Sequence, residues 1–448
     1  MIELTLKEIL EATGGVARGA LPGGNIASIT TDSRQAAEGS VFIALKGERV
    51  DGHSFVPGLE GRAMAAVVEH EIDCALPQIV VDSTYRAVGA IGAYIRNRSG
   101  VIVVGVTGSV GKTSVKELTA SVISQRFNVL KTEKNHNNEL GLPMTLFRLT
   151  DEHEVAVLEM GISYFGEMDR ISKIARPDIA VYTNIENVHT ENLIDRDGVL
   201  RAKTELVPNM RGNTLVLNAE DDKLAGYKLP NGKKAVYYGF SDKAFVYASD
   251  IAEDGLASTR FTLHVGADSI AVDLPAAGRH MVLDSLAAAA AGHELGLTMD
   301  EIKRGVESYK TVEGRMQRID YNGAVIINDC YNASPTSMAA SLGVLAGAKG
   351  RRLALLGDML ELGERSDELH RGIGTLCAKL GIDGLFTVGG SGKLISDEAR
   401  AAGLEKAYNL TPEEAAERIG ELLAPGDTLL VKASRGMKLE RIIKAITE

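Results

Sequence analysis

The segment Val103-Val104-Gly105-Val106-Thr107-Gly108-Ser109-Val110-Gly111-Lys112-Thr113-Ser114 constrains this chain more than any other. An apolar run meets a glycine turn, and the turn ends in Gly-Lys-Thr at the head of a predicted helix. Such a turn aims backbone N–H groups at a polyphosphate, and the helix N-terminus adds positive potential. Thr107, Gly108, Ser109, Val110, Gly111 and Ser114 would form the cradle. Lys112 would reach the outer phosphates and the Thr113 hydroxyl would ligate Mg²⁺. An ordinary turn is the competing reading, and glycine, lysine and hydroxyl in this order argue against it. The general phosphate-loop pattern places glycine five residues before Gly111, where this chain has Val106. From the loop alone, kinases and GTPases stay open beside ligases.

A chain of 448 residues is long for one core and suggests about three domains. The apolar runs are too short to span a bilayer, so no membrane insertion is expected. The start, Met1-Ile2-Glu3-Leu4-Thr5-Leu6-Lys7-Glu8, lacks a basic region followed by an apolar core, and export is not expected either. Cys74, Cys330 and Cys377 are odd in number and scattered, which fits a reducing cytoplasm and argues against a cysteine metal site. A net charge of −11 disfavours nucleic acid as a partner. Anionic substrates would then need local basic groups and metal.

Residues 1–98 are rich in glycine and short apolar segments, among them 40–45 and 78–81, and read as a small α/β domain. A helix over 85–96 leads into the nucleotide loop. In the central domain, taken as 99–313, strand and helix alternate, the mark of a parallel sheet. Strands are predicted at 101–106, 155–158, 179–183 and 214–217. The helix after Lys112 places Val115, Leu118, Val122 and Ile123 on one face. Residues 260–265 and 270–274 alternate in polarity and predict a partly exposed extension of the sheet. The alanine-rich run 285–291 belongs to a closely packed helix. A third, Rossmann-like domain over 314–448 has strands predicted at 324–327, 353–356, 385–388 and 428–431. Thr411-Pro412-Glu413-Glu414 is a capping box with proline at the first helical position.

Ligands of open α/β sheets sit at the carboxyl ends of strands. Glu159 lies there and can hold Mg²⁺ beside nucleotide phosphates, or simply cap the next turn. His189, after another strand, is compatible with a ligand and with an ordinary surface histidine. Lys203, on its residues alone, reads as a solvated helix lysine. Asn135-His136-Asn137-Asn138 can donate to phosphate or carboxylate oxygens, or form a turn. Asn328-Asp329-Cys330-Tyr331-Asn332-Ala333-Ser334-Pro335 joins a strand to a helix. Asp358 can accept from ribose hydroxyls or cap a helix. Lys432-Ala433-Ser434-Arg435 ends a strand with two cations and a hydroxyl, suited to carboxylate or phosphate.

Together these segments resemble the Mur ligases, ATP-dependent amide ligases, and within them the D-alanyl-D-alanine-adding type. The compact Thr-Gly-Ser-x-Gly-Lys-Thr loop is shared by Mur ligases and folylpolyglutamate synthetases. Thr31-Asp32-Ser33-Arg34, Phe42-Ile43-Ala44-Leu45-Lys46-Gly47 and Asp51-Gly52-His53 resemble a UDP-sugar-binding domain. Asn135-x-Asn137-Asn138-x-x-Gly141-x-Pro143 and Glu159-Met160-Gly161 with Gly166-Glu167 resemble the ATPase domain. Tyr331-Asn332-Ala333-x-Pro335-x-Ser337-Met338, Leu356-Gly357-Asp358-Met359-x-Glu361-Leu362-Gly363 and Lys432-x-Ser434-Arg435-x-Met437-x-x-Glu440 resemble the dipeptide-adding type. The Asp-Asn-Pro-Arg motif of a MurE-type enzyme is absent.

The resemblance implies roles residue by residue. Lys112 would stabilise the transferring phosphoryl group, and Thr113 with Glu159 would hold the Mg²⁺ between β- and γ-phosphates. His189 and Lys203 would serve a second Mg²⁺ near the acceptor carboxylate, with Lys203 carbamylated by CO₂. Asn138 and Arg315 would complete the catalytic set, with Arg315, Asp284 and Asp358 also contacting ATP. Thr31, Ser33, Arg34, Lys46 and Gly47 would face the UDP-sugar, and Tyr331, Asn332, Ser434 and Arg435 the dipeptide. One departure stands out. The family usually carries His-Asn-x-x-Asn where this chain reads His280-Met281-Val282-Leu283-Asp284, and those asparagines help hold adenine.

The implied reaction joins the terminal carboxylate of UDP-N-acetylmuramoyl-tripeptide to D-alanyl-D-alanine through an acyl phosphate made from ATP. A monomer in a bacterial cytoplasm is expected, closing about linkers near Ser99 and Gly314 to exclude water. A MurE-type or folylpolyglutamate-type ligase, or a nucleotide-binding regulator without ligase activity, are the alternatives.

Overall fold

Short aliphatic runs bounded by turns build three separate sheets in the computed structural model, which describes residues 1–447. The first sheet has the order Val16–Arg18, Gln78–Val80, Ala65–Val68, Ser40–Ile43, Ser28–Thr30, and only the Val16–Arg18 edge is antiparallel. Every residue of Ser40–Ile43 and Ala65–Val68 is buried, as parallel strands covered on two faces require.

The central sheet runs Asp268–Leu274, Ser258–Val265, Val246–Asp254, Lys234–Gly239, Thr214–Asn218, Ile179–Tyr182, Ile102–Thr107, Val155–Glu159, Val129–Lys131. It is parallel from Val129–Lys131 to Val246–Asp254, and the last two strands extend it antiparallel. That extension alternates buried residues with half-buried or exposed ones along Ser258–Val265, as its polarity pattern predicts. After Val155–Glu159 the chain crosses to the far side of Ile102–Thr107. The carboxyl end of Ile102–Thr107 is therefore a topological switch point, where open sheets leave a crevice for ligands. Helix Lys112–Ile123 follows, and its Val115, Leu118, Val122 and Ile123 are fully buried against the alanine face of helix Arg279–Glu294.

The third sheet has the order Gln317–Tyr321, Ala324–Asn328, Thr428–Lys432, Arg352–Gly357, Gly384–Val388, Ala407–Leu410, parallel except at Gln317–Tyr321. Helix Pro412–Leu422 starts on the predicted capping box at Thr411 and Glu414.

Packing does not follow the chain boundary at residue 98. One apolar cluster runs from Leu4, Leu6 and Ile9 through Val41 and Ile91 to Leu158 and Tyr182, so the first two units share a core. Helix Thr84–Arg98 is the joint. Its Arg96, 1% exposed, donates to the carbonyls of Ala175, Val101 and Arg176 and to Asp178 at 2.7, 3.0, 3.0 and 2.9 Å. The third unit has its own apolar clusters. It meets the central unit through Arg315, through Glu361 and around a cavity of about 480 Å³. The shared core ties the first two units together across Ser99, whereas Gly314 joins units whose apolar clusters are separate. Among the described residues, no helix is long and apolar enough to cross a membrane.

Candidate active site

The loop at the switch point takes its shape from its glycines and from the neighbouring strand. Gly108 has φ 144, and a Cβ there would lie 1.9 Å from Thr183 Oγ1. Gly111, φ 80, precedes helix Lys112–Ile123 without a side-chain cap, so the first helical N–H groups are open to an anion. Asn184 accepts from Val110 N–H at 2.9 Å, Thr183 Oγ1 donates to Val110 O at 2.6 Å, and Ser109 N–H donates to Asn184 O at 2.9 Å. Asn184 was not among the predicted site residues; its position directly after a buried strand was the available signal. Lys112 Nζ folds back on the loop, donating to the carbonyls of Gly108 and Ser109 at 2.9 and 3.0 Å. Burial pushes its pKa down, opposed by Glu159 and reinforced by Arg315.

Glu159 ends its strand 3% exposed. Its Oε2 accepts from Thr113 Oγ1 at 3.0 Å and its Oε1 from Asn137 Nδ2 at 2.9 Å. The two predicted metal ligands are therefore in contact. Asn137 rather than Asn138 touches Glu159, and Asn138 Oδ1 accepts from the N–H groups of Leu140 and Gly141 at 3.2 and 2.9 Å, a turn role. Among the described residues, no group of three or more His, Cys, Asp or Glu side chains could hold a metal. One carboxylate and one hydroxyl fit Mg²⁺ only when phosphate oxygens and waters complete its shell, which is how magnesium commonly binds beside nucleotides.

His189 adopts φ 52 and places Nδ1 2.7 Å from Glu361 Oε2 of the third unit. Burial lowers its pKa; Glu361 opposes this, and Lys112 and Lys203 add to it. Lys203 is 1% exposed rather than solvated, because helix Arg196–Thr204 turns that face inward. Its ammonium has no hydrogen-bond or ion-pair partner among the described residues, and burial, with Lys112 nearby, pushes its pKa well below the usual lysine value.

Arg315 reaches across from the third unit. It donates to Thr113 Oγ1 at 3.0 Å and lies 4.1 Å from the centre of the Tyr331 ring. Its buried Nε has no partner, an open donor beside the phosphate loop that an anionic ligand would satisfy. Arg435 lies 5.9 Å from the same ring and pairs with Glu440 at 3.0 Å.

The two altered positions of the His280–Asp284 segment face different places. Met281 lines the 480 Å³ cavity together with Tyr309, Ala276, Ala277, Val344 and Arg315. Asp284 lies against the phosphate loop, 3.2 Å from where a Gly111 Cβ would be. Burial raises its pKa well above the carboxylate range, opposed by Arg315. Burial also pushes His280 down to about 4.

In the third unit Asp358 Oδ1 accepts from Gly392 N–H at 2.6 Å, capping helix Gly392–Ala401. Lys432 is tied to Asp329 and to Asn332 O at 2.5 and 3.1 Å, so Arg435 is the cation of that segment turned towards solvent. Ser434 Oγ accepts from Leu360 N–H at 2.9 Å. In the first unit Asp32 pairs with Arg34 at 2.7 Å after strand Ser28–Thr30, and Lys46 and Gly47 are exposed in a turn. Among the described residues, no hydrogen bond or ion pair joins Thr31, Ser33, Arg34, Lys46 or Gly47 to the phosphate loop.

Three successive stretches match Mur ligase domains: residues 25–98 the family's catalytic domain, 106–292 its middle domain and 314–435 its glutamate ligase domain. The chain is 36% identical over 457 residues to UDP-N-acetylmuramoyl-tripeptide–D-alanyl-D-alanine ligase of Escherichia coli, covering 100% of this chain and 99% of that one. The chain belongs to the Mur ligase family. Among solved Mur ligases, MurF from Acinetobacter baumannii matches with a TM-score of 0.91 at 33% identity, covering 99% of each chain. MurF from Thermotoga maritima in complex with ADP matches with a TM-score of 0.83 at 29% identity, covering 94% of this chain and 97% of that one. The three-domain α/β architecture implied by the sequence is thus the one this Mur ligase has.

Proposed function

We propose that this Mur ligase uses ATP to join D-alanyl-D-alanine to UDP-N-acetylmuramoyl-tripeptide, the last cytoplasmic step in assembling the peptidoglycan pentapeptide precursor. The observation that supports this reading is that Arg315 of another unit donates to Thr113, which donates to Glu159, while His189 and Lys203 lie close enough to Lys112 to feel its charge. Relatives named for this reaction match the chain from end to end.

A carboxylate is a poor electrophile, and activation converts its leaving group from oxide to phosphate. Lys112 would leave the carbonyls of Gly108 and Ser109 for the phosphates, and Arg315 would leave Thr113 to offer its guanidinium to the same anion. The open N–H groups at the start of helix Lys112–Ile123 add fixed positive potential there. Mg²⁺ on Thr113 and Glu159 would neutralise charge on the phosphates and polarise the transferring phosphoryl group. His189 and Lys203 would serve a second ion near the acceptor carboxylate. Lys203 suits this as a carbamate, because burial favours the neutral amine that adds to CO₂ and the product is an anionic oxygen donor. The cavity lined by Met281 and Tyr309 would take the adenine by apolar contact, with Asp284 nearer the phosphates and Asp358 retained as a ribose contact.

Residues 1–98 would bind the UDP-sugar through Thr31, Ser33, Arg34, Lys46 and Gly47. Residues 99–313 would bind ATP, and 314–448 would bring the dipeptide on the side of Tyr331, Asn332, Ser434 and Arg435. Purified protein given ATP, Mg²⁺, UDP-tripeptide and one acceptor at a time should form product with D-alanyl-D-alanine alone. Product with glutamate or diaminopimelate instead would assign a different acceptor.

A further inference from the structure

The acceptor end of the cleft is crowded with cations. Lys112 lies close enough to Arg315 and to Lys203 for their charges to interact, and on the ligase reading the attacking amine would come from the third unit. The acids nearby are mostly engaged. Glu159 is held by Thr113 and Asn137, Asp358 by the N-terminus of helix Gly392–Ala401, and Asp329 by Lys432.

Glu361 differs from them. It sits at φ 63, a left-handed conformation that glutamate rarely adopts, and this carries its carboxylate across the cleft to 2.7 Å from His189 Nδ1. Its side chain is 62% exposed, so a ligand can reach it. The loop that bears it is clamped to the next one: Leu360 N–H donates to Ser434 Oγ at 2.9 Å, and Ser434 N–H to Asp358 O at 3.1 Å. The clamp fixes an anion, Glu361, and a cation, Arg435, on loops at the carboxyl ends of the adjacent strands Arg352–Gly357 and Thr428–Lys432; Arg435 is 63% exposed and pairs with Glu440 at 3.0 Å, a contact the dipeptide carboxylate would share or replace.

A dipeptide zwitterion carries an ammonium at one end and a carboxylate at the other, and this pair of loops offers the complementary charges. We infer that Glu361 is the carboxylate that receives the ammonium of the incoming dipeptide, while Arg435 faces the dipeptide's own carboxylate. The inference rests on the ligase reading above and adds the orientation of the acceptor: amine towards His189 and the activated carbonyl, carboxyl end towards Arg435. Transfer of Glu361 from imidazole to ammonium also frees His189 as the dipeptide arrives.

The test compares unsubstituted protein with Glu361→Gln, using D-alanyl-D-alanine as substrate and propionyl-D-alanine, the same molecule without its amine, as competitive inhibitor. Loss of a charge-assisted contact should raise KM for D-alanyl-D-alanine by about tenfold or more. KM for ATP and for UDP-tripeptide should stay within about twofold, and inhibition by propionyl-D-alanine should be unchanged, since it has no ammonium to lose. An unchanged KM for the dipeptide overturns the inference. So does an equal weakening of dipeptide and propionyl-D-alanine, which would mark Glu361 as a support of the loop. Failure of the unsubstituted protein to turn over D-alanyl-D-alanine would remove the ligase reading itself, and is seen before the variant is compared.

Discussion

Arg315 donates to Thr113 Oγ1 at 3.0 Å while that same hydroxyl donates to Glu159 at 3.0 Å. The third unit thus rests on the residue proposed to hold magnesium. On that proposal a nucleotide in the phosphate loop would separate the two, so one guanidinium would link the position of the third unit to the occupancy of the loop.

Arg315→Ala should therefore lower kcat/KM for ATP by about 10²-fold or more, the scale set by removing one donor aimed at developing charge. Arg315→Lys should rescue little. A compact ammonium cannot cover the Tyr331 ring and present a planar fork to the phosphates together. Steady-state kinetics with ATP varied would show this, and full activity in the lysine variant would reduce Arg315 to a point charge.

Lys203 makes a prediction about carbon dioxide. If the buried amine becomes a carbamate, turnover should fall in buffers stripped of CO₂ and recover when bicarbonate is added. Lys203→Met should be inactive and indifferent to bicarbonate. Equal activity of the unsubstituted protein in stripped and bicarbonate buffers would mean the amine works unmodified.

Asp284 should impose a pH dependence on stability. Its folded-state pKa is raised well above 3.8, chiefly by burial, so the folded protein binds its proton more tightly than the unfolded chain. Its favourable contribution is complete below the unfolded pKa and is lost as pH rises through the folded one. Asp284→Asn keeps the shape without the charge. It should raise the unfolding midpoint at neutral pH and narrow its difference from the unsubstituted protein in acid. A variant less stable at neutral pH would show that the ionised carboxylate is favourably held.

Arg96 carries the joint between the first two units, so removing it takes the guanidinium donor from the carbonyls of Ala175, Val101 and Arg176 and leaves Asp178 with Val103 N–H and Arg211 only. Arg96→Met should cost about 3–5 kcal/mol in urea unfolding of the body formed by the first two units. A loss below about 1 kcal/mol would mean that the apolar core alone fastens the joint.

How much of this was readable in the chain depends on how local each cause is. The phosphate loop is local in sequence, and so are the strand before it and the buried face of helix Lys112–Ile123; each was legible. The edge strands Gln317–Tyr321 and Ala407–Leu410 were not, because their polar residues hide the pattern that marks buried strands. Lys203 read as solvated on its neighbours alone, since only the packing of helix Arg196–Thr204 against helices Glu167–Ala175, Thr190–Leu193 and Asp222–Ala225 reveals its burial. Of the paired asparagines, the resemblance named Asn138, whereas Asn137 is the one that meets Glu159. Glu361 gave no local sign of its partner, as His189 lies on another unit far away in the chain.

The most direct test of acyl-phosphate activation in this cleft follows an oxygen atom. UDP-tripeptide labelled with ¹⁸O in its terminal carboxylate is turned over with ATP, Mg²⁺ and D-alanyl-D-alanine, and the released phosphate is analysed by mass spectrometry. Attack of that carboxylate on the γ-phosphate predicts that each phosphate gains a single labelled oxygen from the peptide. Unlabelled phosphate released alongside ligated product would contradict it.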